Sequence, residues 1–258
     1  MSGTSGVALM RGVPPTLASC ELSFREREPI DLERALAQHA AYAALLRSLG
    51  LEVLELPTDP AFPDCCFVED VAVVLDEVAL LTRPGAASRR GEVRVIEAAL
   101  ARYRPIERTA EPATLEGGDV LRVAHTLYVG RSARTNDEGI ARLAAVAEPL
   151  GYRVVPVPVT GCLHLKSALT ALDQERVLVN RAWLDTAPLA GLELVDVAPE
   201  EPGAANVLRV AGLVIAHPGF PRTNERIAAL GYAVRPLDVS EFLKAEAALT
   251  CKSLLFAA

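Results

Sequence analysis

The chain has 258 residues, 51% of them hydrophobic, which is enough to bury a large core and excludes a disordered polymer. A net charge of −7 and only 5% aromatic residues leave no clustered basic groups or stacking rings, so no nucleic-acid partner is expected. No apolar run reaches the ~18 residues of a membrane span, Met1–Gly12 lacks a basic leader followed by an apolar stretch, and five cysteines are too sparse for a disulfide framework. The expectation is a cytoplasmic protein with reduced thiols and no membrane partner.

In chain order, Val7–Val13 reads as an apolar strand. Ala40–Pro57 follows as an Ala/Leu-rich helix, a Leu-Gly stop and a second apolar strand. Val68–Thr82 is a strand that turns back as a hairpin, opened by Glu69 and Asp70. Glu92–Ile106 repeats the helix and strand without the Gly. Gly117–Gly130 is the next hairpin, Ile140–Pro158 the next helix, Gly and strand, and Leu163–Val179 a third hairpin. Ala187–Val197 keeps only the Gly and the strand. Ala205–Ala216, Asn224–Val239 and the half-hairpin Leu249–Phe256 complete the series. In each unit apolar residues recur at helical spacing, Gly supplies a left-handed cap, and a buried strand follows. Aligned on Asp70, Asp119, Ser167, Asn206 and Ser253, the hairpins lie 49, 48, 39 and 47 residues apart.

Five such ββαβ repeats predict an α/β fold, a five-bladed propeller around a central channel, formed as a single domain over residues 1–258. The N-terminal strand is expected to pair with the last half-hairpin and close the ring. A doubly wound sheet would not place a hairpin in every repeat, and Glu116-Gly117-Gly118-Asp119 is not a phosphate-binding GxGxxG turn.

The residues opening the inner strands are polar among apolar neighbours: Glu69, Asp70, Glu116, Asp119, His164, Asn206 and Cys251. In a propeller these positions are expected to face the channel mouth together, bringing a nucleophile, an acid/base and a cation-binding set to one cavity. A single Cys ahead of an apolar strand is more often a small core hydrophobe. What sets Cys251 apart is the matching register of TCKS and HLKS. Of Cys65 and Cys66, one is expected in the core and one against a loop. Cys162 either lines the site or fills space. His39, His125 and His217 read as surface, hairpin-turn and packing residues. No CxxC or HExxH spacing is present, so neither a metal nor a cofactor is expected.

The runs FPDCCFVEDVAVV, LTRPGAASRRGE, LEGGDVL, GRSARTNDEGI, LHLKSALT, HPGFPRTNERIAALGY and LTCKSLLF together resemble the dimethylarginine dimethylaminohydrolase (dimethylargininase) family of the guanidino-modifying superfamily. The resemblance covers nearly the whole chain, in family order. It implies the pentein fold, a five-bladed α/β propeller, and hydrolysis of Nω-methylated arginines to L-citrulline and an alkylamine. It implies Cys251 as nucleophile, His164 as general acid/base and Glu116 as the carboxylate that orients the imidazole. Asp64, Glu69 and Asp70 match substrate-binding acids, Arg89 and Arg134 a clamp for the α-carboxylate, and Leu22 and Ala245 further substrate contacts. Glu246-Ala247 departs from the Asp-Gly that the family places before the nucleophile. Ala18–Arg27 would serve as a lid. Arginine deiminase activity or a non-catalytic propeller remains open at this stage, as does a homodimer. Acidic neighbours should push the thiol upward, so activation by the bound cation itself is expected.

Overall fold

Each repeat folds into a three-stranded sheet of one construction, an antiparallel pair whose middle strand is joined in parallel by the third. The computed structural model describes residues 6–258. The first blade holds β1 (Gly6–Arg11), α1 (Leu32–Ser48) and β2 (Glu52–Leu56). The second runs β3 (Ala72–Val74), β4 (Ala79–Leu81), α2 (Val93–Leu100) and β5 (Ile106–Arg108). The third is β6 (Val120–Val123), β7 (Thr126–Arg131), α3 (Asp137–Ala147) and β8 (Arg153–Pro158). The fourth opens with α4 (Leu165–Ala168) and continues through β9 (Leu169–Ala171), β10 (Arg176–Val179) and β11 (Glu193–Asp196). The fifth is β12 (Leu208–Val210), β13 (Leu213–Ala216), α5 (Pro221–Ala229) and β14 (Ala233–Pro236). After α6 (Ser240–Leu243), β15 (Leu254–Ala257) returns to the first blade.

A parallel neighbour requires a crossover, and the long helices supply it. In the fourth blade the short 3-10 turn Ala187–Leu189 replaces the helix, as the abbreviated repeat predicts. Four of the predicted Gly stops take left-handed φ values of +86°, +88°, +99° and +92°, at Gly50, Gly151, Gly191 and Gly231. Ring closure also holds: β15 lies antiparallel to β1, with Leu254 opposite Leu9, while β1 pairs in parallel with β2. Five hydrophobic clusters, each shared by two adjacent blades, weld the ring. Inner-strand residues of all five blades line the axial channel.

Two sequence expectations are corrected. The polar residues do not open strands directly; they sit on or beside short helical turns (Val68–Val71, Gly117–Asp119, α4, Pro202–Ala205 and Thr250–Lys252) that precede them. Successive residues on such a turn point in different directions, so the set does not face one mouth. His39 is also not a surface residue. It is 4% exposed, on the face of α1 that packs against Phe242 of α6. Cys66 lies in the core and Cys65 packs against the Thr58–Asp59 loop, as expected. Among the described residues no helix is long and apolar enough to cross a membrane.

Candidate active site

Four of the turns bring their residues to one end of the channel. His164 stands just before α4 and Glu116 just before the Gly117–Asp119 turn, with His164 Nε2 2.6 Å from Glu116 Oε2. The other oxygen of Glu116 accepts from Gly85 N at 3.0 Å and lies 3.5 Å from Arg134 Nη1. Across the imidazole, Nδ1 is 3.8 Å from Asp70 Oδ1. That oxygen accepts from Gly118 N at 3.0 Å, while Oδ2 accepts from Arg89 Nη1 at 2.6 Å. Gly118 explains the paired glycines: a Cβ there would stand 2.6 Å from Asp70 Oδ1 and 2.7 Å from His164 Nδ1. The Cys251 sulfur accepts from Ala248 N at 3.4 Å, on the Thr250–Lys252 turn. Between these groups is a pocket of about 20 Å³, lined by Asp64, Asp70, Arg89, Arg134, His164 and Cys251 among others.

The electrostatics follow from burial and from these pairs. Burial, then Glu69 and Asp70, push the Cys251 thiol up to about 12. Burial alone would lower His164, but Asp70, Glu116 and Asp119 outweigh it and raise the imidazolium to about 9. Asp70 and Glu116 resist the upward push of burial and are held below the usual carboxylate range, Asp70 by His164 and Arg89, Glu116 chiefly by its bond to His164. The resting site is therefore a neutral thiol facing an imidazolium clamped between two carboxylates. Asp70, Glu116 and His164 are the grouping among the described residues whose donor atoms lie close enough, within 4.8 Å, to hold a cation. Each already has a protein hydrogen-bond partner, and a planar organic cation bounded by carboxylates suits the set.

Seven of the ten predicted residues line the pocket: Cys251, His164, Asp64, Asp70, Arg89, Arg134 and Ala245. Glu116, fully buried, reaches it through His164. Glu69 does not face it; its carboxylate bonds Lys166 Nζ and accepts from Thr250 Oγ1 at 2.7 Å, on the channel side. Leu22, within the Ala18–Arg27 loop, packs on the core rather than in the pocket wall. Asp119 is a buried brace that accepts from Ser132, Thr135 and Leu165 N. Arg89 is 4% exposed, its N–H groups engaged by Asp70, Glu92 and the carbonyls of Asp64 and Phe67. It holds Asp70 rather than presenting a free fork. Cys162 fills core space and donates to the His164 carbonyl.

Sequence reasoning missed Glu21 and Glu246 as pocket residues. Both fasten the Ala18–Arg27 loop: Glu21 N donates to Asp64 at 3.1 Å, and the Glu246 carboxylate accepts from Ser23 N at 2.9 Å and Phe24 N at 2.5 Å. Arg134 Nη2 donates to Ser23 Oγ at 3.1 Å. Glu246 itself takes the left-handed conformation, φ +54°, so the turn before Cys251 forms without a Gly at position 247. The departure from the family's Asp-Gly was the signal for this residue.

Comparison with known proteins decides the relationship. The chain is 44% identical over 248 residues to the N(G),N(G)-dimethylarginine dimethylaminohydrolase of Streptomyces coelicolor, covering 96% of this chain and 95% of the relative. The chain belongs to the dimethylarginine dimethylaminohydrolase family. Residues 19–185 match the family model for eukaryotic N,N-dimethylarginine dimethylhydrolase. A solved dimethylarginine dimethylaminohydrolase from Pseudomonas aeruginosa, a cysteine-to-serine mutant complexed with citrulline, superposes with a TM-score of 0.93 at 35% identity. It covers 98% of this chain and 100% of its own. The N-terminal domain of ArgZ, a cyanobacterial arginine dihydrolase, superposes at 0.87 with 20% identity over 97% of each chain, which shows the shared pentein fold alone.

Proposed function

We propose that this member of the dimethylarginine dimethylaminohydrolase family hydrolyses Nω-methylated arginines to L-citrulline and di- or monomethylamine. The observation that carries the reading is one small pocket where the Cys251 thiol meets an imidazole held between Glu116 and Asp70. A guanidinium is a poor electrophile until it is held planar and aimed, and Asp70 and Glu116 supply negative charge for it. Its own positive charge favours loss of the Cys251 proton to solvent.

In this reading the thiolate attacks the guanidinium carbon and forms a C–S bond. His164, already protonated, gives its proton to the methylated nitrogen as the C–N bond breaks, leaving an amidino-thioether on Cys251. Neutral His164 then takes a proton from water; the hydroxide adds to the same carbon, the C–S bond breaks and citrulline leaves. Glu116 keeps Nε2 engaged, and Asp70 faces Nδ1. At the other end Asp64 and Arg134, occupied by lid groups here, receive the amino acid's ammonium and carboxylate once the lid releases them. Backbone around Leu22 and Ala245 completes the contact. After the Cys251 proton is lost to solvent, His164 carries the transfers to the amine and from water.

The test is citrulline release from asymmetric dimethylarginine, monomethylarginine and arginine in parallel, with Cys251→Ser as control. Preference for the methylated substrates, lost in the mutant, is the expected result. Turnover of arginine alone would move the chain to the deiminases.

A further inference from the structure

The residue immediately after Cys251 is a lysine with no exposed surface at all. Among the described residues the hydrogen-bond partner of Lys252 Nζ is His39 Nδ1, at 3.3 Å. The ammonium otherwise sits on aromatic faces, 3.1 Å from the ring centroid of Phe242 and 5.5 Å from that of Tyr42. Lys166, in the same register of HLKS and TCKS, differs: it is paired with Glu69. A buried ammonium without a carboxylate disfavours the fold while it is charged, and a hydrophobic side chain of similar length would fill the same space more favourably. Such a group calls for a functional account.

Its contacts supply one. The Phe242 carbonyl accepts from Ala245 N at 2.9 Å and from Ala247 N at 3.0 Å, which shapes the pocket rim. Lys252 thus joins three things: the nucleophile turn, the residue that sets the rim, and α1 through His39. We propose that Lys252 is a positioning residue for the nucleophile, its ammonium seated on Phe242 tying the Cys251 turn to the pocket rim and placing a positive charge next to the thiol. The inference rests on the hydrolase reading above.

The groups around it are few. The Cys66 and Cys251 thiols lie within electrostatic reach of it, Lys166 being a second cation that acts on Cys251; His39 touches it, and Tyr42 lies beneath it with its hydroxyl bonded to Ser253. His39 is held neutral by burial and by Lys252, and Glu55 lies beyond it, 3.6 Å from Nε2. Burial pulls Lys252 down to about 7, so the charge is present below neutrality and fades above it.

The experiment measures iodoacetamide alkylation of Cys251 and turnover of dimethylarginine from pH 6 to 8.5, in wild type, Lys252→Met and Phe242→Leu. The expected Lys252→Met protein melts higher than wild type at pH 6, alkylates ~10-fold more slowly there, and closes the gap by pH 8.5, as loss of about one pKa unit of thiolate stabilisation requires. Its kcat falls in step while KM holds within about two-fold. Phe242→Leu, which keeps the lysine but removes its seat, moves alkylation in the same direction. Coincident alkylation profiles would overturn the proposal, as would a lower melting temperature in Lys252→Met. Alkylation needs no substrate. A chain that alkylates as expected but turns over no methylated arginine would overturn the hydrolase reading and leave Lys252 its role.

Discussion

The two ends of the axial channel are built from neighbouring residues yet differ in almost everything else. Glu69 faces one cavity and Asp70 the other; Thr250 and Cys251 divide in the same way. The cavity on the Glu69 side is the larger, about 290 Å³ against about 20 Å³, and its walls are mostly inner-strand apolar side chains. The chemistry gathers at the small end. Volume does not locate a site here; the density of buried charge does, because buried carboxylates and an imidazolium persist only where they hold one another.

Substitutions test that contrast from its strongest side to its weakest. Cys251→Ser should lower citrulline release by about 10⁴-fold or more, since the alkoxide is not reached at neutral pH and no covalent step follows. Glu116→Gln should lower kcat by about 10²-fold and shift the acid/base limb of the pH–rate profile downward, because His164 loses a partner that raises it. Glu69→Gln, on the side of the larger cavity, should act mainly on stability. It leaves the half-buried Lys166 without its charge partner, so the melting temperature falls while kcat changes by only a few fold. Arg122→Ala, in the wall of the larger cavity, should leave both rate and KM near wild type. A large rate loss there would break the contrast.

Stability against pH sharpens it further. The folded state raises His164 from 6.5 to about 9, so its stabilisation is complete below 6.5 and lost as pH rises through 9. Lys252 is lowered from 10.5 to about 7, so it disfavours the fold below 7 and that penalty is relieved between 7 and 10.5. From pH 7 to 9 the two slopes oppose, each up to about 1.4 kcal/mol per pH unit. Denaturant unfolding of wild type should stay level over that window, with Lys252→Met losing stability as pH rises and His164→Gln gaining it.

The architecture was legible because it repeats. Leu-Gly stops, hairpins and the closing strand each carry a local physical signature, and five copies reinforce one another. The residues that meet at the small pocket were legible through their order along the chain. What sequence did not resolve is direction. Glu69 and Asp70 are equivalent as letters, but a 3-10 turn sends one to the channel and the other to the pocket. His39 and Lys252 are polar residues that any hydropathy reading places in water. Their burial follows from the meeting of α1 with α6, elements some two hundred residues apart, which no local pattern encodes. The lid's fastening to Glu246 is of the same long-range kind.

The pairing of β15 with β1 carries one more consequence. Cys251 lies three residues before β15, the strand that pairs with β1. During synthesis four blades can assemble their own strands while the first still lacks one edge, and the sulfur has no fixed place until that edge arrives. Placement of Cys251 thus waits on the pairing of β15 with β1, and recovery of turnover after denaturation should report that pairing rather than the formation of the separate sheets.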